Sequence, residues 1–326
     1  MPIIRLSDLD VFAFLDADSD EAKTYQTYFG YWDCLARAIT DAFGESPNEG
    51  IAEDLRGRRS YRRLSSTQFH GDDAVLRGLL LNGWNSELGL YLVDDDDVRL
   101  QPANQWNGVY AYYATGRLAL AWLLSRDHSA PQRHRPMLRA LSAQVAISSL
   151  YPMPWSICCT SLNPLSWAGC PEPPADSSNL SSNVRPLDGI GKLLSTTRRR
   201  RVDELVTQEK DRSGLRRAKN GERARQDQQL EATTVFDFAW RSRTRSNYGD
   251  PSMFYMGSLG DQQRSQQLVA AVRTWTNATM LLFEAFVAQR ARAQLVDAAV
   301  HYMSRDRTKI SDALVGERLR ALHLLQ

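Results

Sequence analysis

The sequence predicts a mainly α protein: a helical bundle with a smaller N-terminal α/β region and a basic insertion. Three observations lead to that class. Long segments, notably 104–124, 135–150 and 261–302, place apolar residues at three- and four-residue intervals, as one buried helix face requires. A short stretch, 88–100, alternates like a pair of strands. Another, 198–225, is dense in arginine and lacks a continuous apolar face.

Composition bounds what such a bundle can do. With 326 residues and 43% apolar side chains, the chain can bury a substantial core. Charged residues make up 24%, yet the net charge is only +2, so no global field singles out nucleic acid or an anionic membrane. Local charge has to carry that argument. The cysteines, Cys34, Cys158, Cys159 and Cys170, lack the spacing of paired zinc knuckles, and no metal or other cofactor is expected. So few cysteines and the lack of a leading signal sequence point to a reducing, cytoplasmic compartment. The longest apolar run, Val109 to Leu124, contains Arg117 and falls short of the roughly 20 residues that cross a bilayer, so no membrane association is expected.

The elements follow in chain order. Ala22 to Phe43 reads as a helix, broken by Gly44 to Gly50 before a second helix that packs on it. Gly89–Val93 and Val98–Leu100 read as short strands flanking Asp94 to Asp97. Those four carboxylates lack the interleaving and the glycine of a calcium loop, which makes them a solvated turn. Residues 1–100 thus form the N-terminal α/β region and 101–326 the helical domain.

Asn104 to Leu124 presents Trp106, Val109, Tyr110, Tyr113, Leu120 and Leu124 as an aromatic face, expected to pack against the helix carrying Trp275 and Phe286. Arg135 to Leu150 presents Leu138, Leu141, Val145 and Ile147 and completes a helical hairpin. Tyr151, Trp155 and Trp167, among prolines, anchor an irregular loop in the core or form a stacking platform.

Residues 170–195, with Pro171, Pro173, Pro174 and Pro186, read as a connector. The basic segment 198–225, interrupted by Gly214 and Gly221, reads as a frayed surface helix or a mobile insertion, so connector and insertion together span 171–228. Regular structure resumes with a helix from Gln229 to Trp240, a long helix from Asp261 to Tyr302 and a closing one from Ile310 to Leu325.

Two arginine groups are the candidate functional residues. Arg241, Arg243 and Arg245 precede a polar turn containing Asn247 and Tyr248. They either decorate a helix C-terminus, where cations meet the negative end of the dipole, or offer paired donors to phosphate. Asn247 and Gly249 equally suit a left-handed cap. Arg198, Arg199, Arg200 and Arg201, followed by Arg212, Arg216, Arg217, Arg223 and Arg225, form the strongest polyanion footprint. Interleaved acids, Asp203, Glu204, Glu209, Asp211, Glu222 and Asp227, leave a solvated loop as the other reading. His128 and His134 flank a proline turn and read as solvent-facing loop residues, while the spacing of Arg63 and His70 reads as chance. Neither a Gly-x-Ser-x-Gly elbow nor a glycine-rich phosphate loop is present, which disfavours a small-molecule hydrolase.

Two segments, Val109-Tyr110-Ala111-Tyr112-Tyr113-Ala114 with the histidine-containing connection after it, and Arg243-Thr244-Arg245-Ser246-Asn247-Tyr248, resemble the HEPN-like helical superfamily and its YaaC-like branch. The resemblance implies a four- or five-helix domain that often dimerises and, in active members, cleaves RNA without a metal. It places Arg243 and Tyr248 at the catalytic positions and leaves Arg245 beside them as a phosphate donor; Arg241 and Asn247 in the same segment, and Arg198 to Arg201 by their charge alone, complete the nucleic-acid-binding candidates. Active members carry histidine where this chain has Tyr248. A phenol of pKa about 10 is a poor base near neutrality, so the departure weighs against cleavage and leaves RNA binding intact. The function implied is an RNA- or partner-binding protein of a bacterial stress, toxin–antitoxin or phage-defence system, with metal-independent endoribonuclease activity as its catalytic form. The alternative is a non-catalytic helical subunit or scaffold that docks another protein or a second copy.

Overall fold

In the computed structural model, which describes residues 20–66, 69–93, 95, 99–127, 133–175, 184–214, 221–249, 262–305 and 310–325, helices dominate and one small sheet accompanies them. The helices are α1 (Asp20–Phe43), α2 (Pro47–Gly57), α3 (Arg59–Arg62), α4 (Asp73–Leu88), α5 (Leu100–Asp127) and α6 (His134–Ile147). They continue with α7 (Pro186–Arg212), α8 (Glu222–Gln229), α9 (Val235–Thr244), α10 (Gln262–Arg305) and α11 (Glu317–Ala321). Strands β1 (Cys158–Leu162), β2 (Leu165–Ala168) and β3 (Thr233–Thr234) form an antiparallel sheet in the order β2-β1-β3. The mainly α class with a small α/β part is therefore the observed one.

The strands lie elsewhere than expected. Gly89–Tyr91 is a 3-10 turn that continues the path of α4, and Leu100 opens α5; Val98 lies outside the described residues. Arg273 of α10 explains why no strand partner is needed there: its guanidinium takes the carbonyls of Leu90 at 3.0 Å and Val93 at 3.4 Å and the carboxylate of Asp95 at 2.6 Å. Backbone groups that would demand a ladder are met by a side chain instead.

Helix α10 runs through the middle of the bundle and packs against α5, α1, α4 and α2. Trp275 is fully buried on it, edge-on to Trp32 of α1 at 5.2 Å, and Phe286 meets Trp122 of α5 at 5.2 Å. The expected pairing of α5 with α10 is present, but through other side chains. Ala111, Ala114, Leu118, Ala121 and Trp122 are buried, whereas Trp106 is 47% exposed and Tyr110 and Tyr113 are half-buried. Helix α10 kinks at Ala291, whose φ and ψ are −137° and 48°, and the amide of Phe69 takes the freed carbonyl of Arg290 at 3.1 Å. Buried residues from Tyr25 to Leu319, on both sides of residue 100, belong to one core.

The expected connector and insertion are also corrected. Pro186 sits in the first turn of α7, where its missing amide costs nothing. From there Ile190, Leu193, Leu194 and Val202 bury one face of the helix, which packs against α1. Gly191 lets α7 lie directly on Pro174, since any Cβ there would overlap the proline ring. Residues 198–212 are thus the second half of a continuous helix; 215–220 lie outside the described residues.

The chain's C-terminal turns are pinned by charge. Arg318 of α11 is fully buried between Glu87 of α4 and Glu284 of α10. Its Nη1 donates to Glu87 at 2.6 Å and to Asn277 at 2.9 Å, its Nη2 to Glu87 at 2.9 Å and Glu284 at 2.8 Å, and its Nε to Glu284 at 2.9 Å. The indole of Trp84 adds a bond to Glu284 at 2.8 Å. Among the described residues, no helix is long and apolar enough to cross a membrane.

Candidate functional site

The candidate arginines divide according to the helix face each occupies. On α7, Arg198 points inward and is fully buried. Its Nε pairs with Asp227 at 2.6 Å, Nη1 donates to the carbonyl of Glu231 at 2.7 Å, and Nη2 to those of Asp227 at 2.6 Å and Leu230 at 3.1 Å. It ties α7 to the end of α8 and the approach to β3, so its expected place in a nucleic-acid footprint is corrected to a structural one. Arg199, Arg200 and the half-buried Arg201 follow on outward faces. Arg201 Nη1 pairs with Glu204 at 3.1 Å, and Arg200 approaches the same carboxylate at 3.7 Å.

Helix α9 also differs from expectation. It begins at Val235 rather than Gln229, because Thr234 and Asp237 form a reciprocal capping box there. It runs past Trp240 to Thr244 and ends in a π turn, Arg245–Gly249. Arg241 and Arg243 therefore lie inside the helix, two residues and about 200° apart, and face different sides. Arg245 and Asn247 are half-buried, and Tyr248 is 72% exposed.

Arg243 is boxed by rings: its guanidinium carbon lies 5.4 Å from the Tyr113 ring, 5.1 Å from Trp240 and 5.0 Å from Tyr248. Nη2 donates to the hydroxyls of Tyr113 at 2.7 Å and Tyr248 at 3.4 Å, and its buried Nε has no acceptor. The structure thus brings Arg243 and Tyr248 together and separates them from Arg241.

Arg241 faces a cleft of about 320 Å³ bounded by α6, α7, α9 and the turn before β3. Its Nε donates to Tyr28 at 3.1 Å and its Nη1 to Thr196 at 3.2 Å and Thr197 at 3.1 Å. These hydroxyls hold the guanidinium in place without cancelling its charge. Arg200, Arg201, Arg135 and Arg139 also line the cleft, and Trp240 provides an aromatic wall. Arg139 pairs with Glu231 at 2.5 Å, whereas Arg135 has no ion pair among the described residues. Desolvation, reinforced by the charge of Arg201, lowers the Arg135 pKa.

At the back of the cleft, Asp237 accepts from the amide of Thr234 at 2.8 Å and its hydroxyl at 2.9 Å, yet burial pushes its carboxyl up to about 6. Of five arginines against three carboxylates, Arg135 and Arg241 are the two without an ion pair among the described residues. The sequence reading missed Arg135 and Arg139. Their four-residue spacing on one predicted helix face was the available signal.

The reading of His134 is corrected as well; His128 lies outside the described residues. His134 is the first residue of α6, half-buried, with its ring 4.7 Å from Trp240 and its Nδ1 2.6 Å from the Tyr112 hydroxyl. Burial raises the pKa of Tyr112, keeping the phenol a donor. Burial, then Arg243 and Arg117, lower that of His134, keeping the imidazole neutral. Nδ1 therefore accepts, and the proton sits on Nε2.

Among the described residues no group of His, Cys, Asp and Glu could hold a metal ion. Tyr151 and Trp155 are core residues, the first of the two readings given for them. Cys158 and Cys159 are buried in β1, where burial raises their thiols, Cys159 to about 11. No family model, curated protein or solved structure matches the chain.

Proposed function

We propose that the protein binds RNA, gripping the phosphodiester backbone in the arginine-lined cleft between α6, α7 and α9, as a HEPN-like protein of a bacterial stress or defence system would. The observation that carries this reading is the tethering of Arg241 by three neutral hydroxyls in the same cleft as Arg135, which has no ion pair among the described residues. A preorganised guanidinium binds phosphate through paired charge-assisted bonds.

Arg243, on the far side of α9 from Arg241, and Tyr248, in the turn that follows, stand away from the cleft, so binding and cleavage are separable. Anisotropy of a labelled single-stranded RNA tests the first. Wild-type affinity falls steeply with salt, and Arg135→Gln and Arg241→Gln each flatten the log–log slope by roughly 0.7. Affinity that ignores salt, or both variants behaving as wild type, overturns the proposal. Gel analysis of the same RNA in chelator, with Arg243→Ala and Tyr248→Phe, reports whether metal-independent cleavage accompanies binding. The scaffold reading rests on different residues, the exposed Trp106 and Tyr248, which are large aromatics of the kind that anchor protein interfaces.

A further inference from the structure

A second pocket, about 190 Å³, opens between α5 and α6. Tyr112, Tyr113, Gly116, Arg117 and Leu120 form its α5 wall at helical spacing, and Arg133, His134 and Met137 form its α6 wall. No carboxylate lines it. The guanidinium groups of Arg117 and Arg133 have neither an ion pair nor a hydrogen bond among the described residues. His134 adds a neutral imidazole whose Nδ1 is occupied by the Tyr112 hydroxyl at 2.6 Å, which leaves Nε2–H as a donor. Gly116 contributes no side chain to the floor, and Leu120 and Met137 give one apolar wall.

We infer that this pocket binds the phosphoryl group of a phosphate monoester, with Arg117, Arg133 and His134 on its oxygens and the ester carbon toward Leu120 and Met137. Two arginines and a histidine with a free N–H line one small space, a donor set that suits a tetrahedral dianion with several exposed oxygens. The volume is several times the ~30 Å³ share of one water, which admits the phosphoryl group with part of its ester arm. The inference stands apart from the RNA cleft: Arg135, Arg201 and Arg241 take no part in it.

The test uses the imidazole signals of the five histidines in the full chain, with His134 assigned by its loss in His134→Asn. Charged neighbours of its ring are Arg117 and Arg133 at the pocket and Arg243 from α9, all cationic, with Tyr112 and Tyr113 as phenols. A bound dianion must therefore raise the His134 pKa. Inorganic phosphate at constant ionic strength is expected to shift the His134 titration upward in the wild type, and Arg117→Gln, a half-buried side chain outside the core, to weaken phosphate binding at least tenfold. A His134 titration unchanged by phosphate overturns the inference.

Loss of the response in Arg241→Gln also overturns it, by placing the anion in the larger cleft. A surviving response there alongside lost RNA binding keeps the two sites distinct. A 5′-phosphorylated dinucleotide acting below the phosphate concentration, with its 5′-hydroxyl form silent, supports a nucleic-acid end as the source. Equal potency supports a free oxyanion in the same pocket.

Discussion

Replacing Arg318 with methionine removes the cation from the centre of the bundle and leaves two carboxylates behind. In the native chain all five guanidinium protons are used: three on Glu87 or Asn277 through Nη1 and Nη2, and two on Glu284 through Nε and Nη2. Arg318, Glu87 and Glu284 are each no more than 1% exposed, so water cannot take over any of these bonds. Breaking a buried pair by removing one partner costs about 3 to 5 kcal/mol, because the remaining charge stays desolvated. Methionine fills part of the vacated volume, but two orphaned carboxylates hold the expected loss near the upper end of that range.

The sign of the pH dependence follows from the same geometry. Burial already raises the Glu87 pKa in the native chain, so the folded state holds a proton there more tightly than the unfolded one. A raised carboxyl contributes stability that is present at low pH and lost as pH rises through its folded value. Without Arg318 the Glu87 carboxyl loses the cation that holds it down and moves further up, so the penalty is largest near about pH 7.5 and shrinks toward about pH 5. Urea unfolding followed by far-UV circular dichroism at both values measures it. Glu87→Gln in the Arg318→Met background removes one orphaned charge and is expected to restore part of the loss. A cost below about 1 kcal/mol near pH 7.5, or one that does not diminish near pH 5, would refute this account of the network.

Trp275→Ala is expected to cost about 3 to 5 kcal/mol, since the indole is fully buried against Trp32, while Trp275→Phe costs less because the indole N–H has no acceptor to lose. Denaturant midpoints that place the two variants together would show that the ring does not carry the packing. Asp237, raised to about 6 by burial, makes stability fall as pH climbs from its unfolded range near 4 through 6, so the difference between wild type and Asp237→Asn changes across that window. The same variant removes a negative charge from the cleft and is expected to strengthen RNA binding at about pH 7.5 more than at about pH 5; a pH-independent difference in both measurements would dismiss the titration.

How much was legible depended on whether the buried face of each element was apolar. Helices α1, α5, α6 and α10 could be placed within a few residues, because their core stripes are made of Leu, Val, Ala and aromatics at helical spacing. Helix α7 was missed for a specific reason. Its inward stripe runs Ile190, Leu193, Leu194, Thr197, Arg198 and Val202, which has helical spacing only when Arg198 is counted among the buried residues. Treated as a surface cation, Arg198 breaks the stripe, and the segment then reads as a frayed surface helix or a basic insertion. The alternation in 89–93 misled in the opposite direction: five residues are too few to separate a strand from a turn whose carbonyls a distant arginine satisfies.

The candidate site was less legible than the fold because the role of an arginine is set by its partner, and the partners are remote in sequence. Arg198 finds a carboxylate and backbone carbonyls; Arg243 finds three aromatic rings; Arg241 finds Tyr28, Thr196 and Thr197. In the first case the charge is neutralised where it sits. In the second it is walled off, with one donor unmet. Only the third leaves a fixed positive charge facing an open cleft, because a hydroxyl can orient a guanidinium but brings no opposing charge. An arginine cluster in a sequence therefore marks an anion site only after folding has removed the members whose charge is spent inside the protein. In this chain that removal shifts the candidate from the run 198–201 and the turn at 241–248 to Arg241 of α9 and Arg135 of α6, on two different helices.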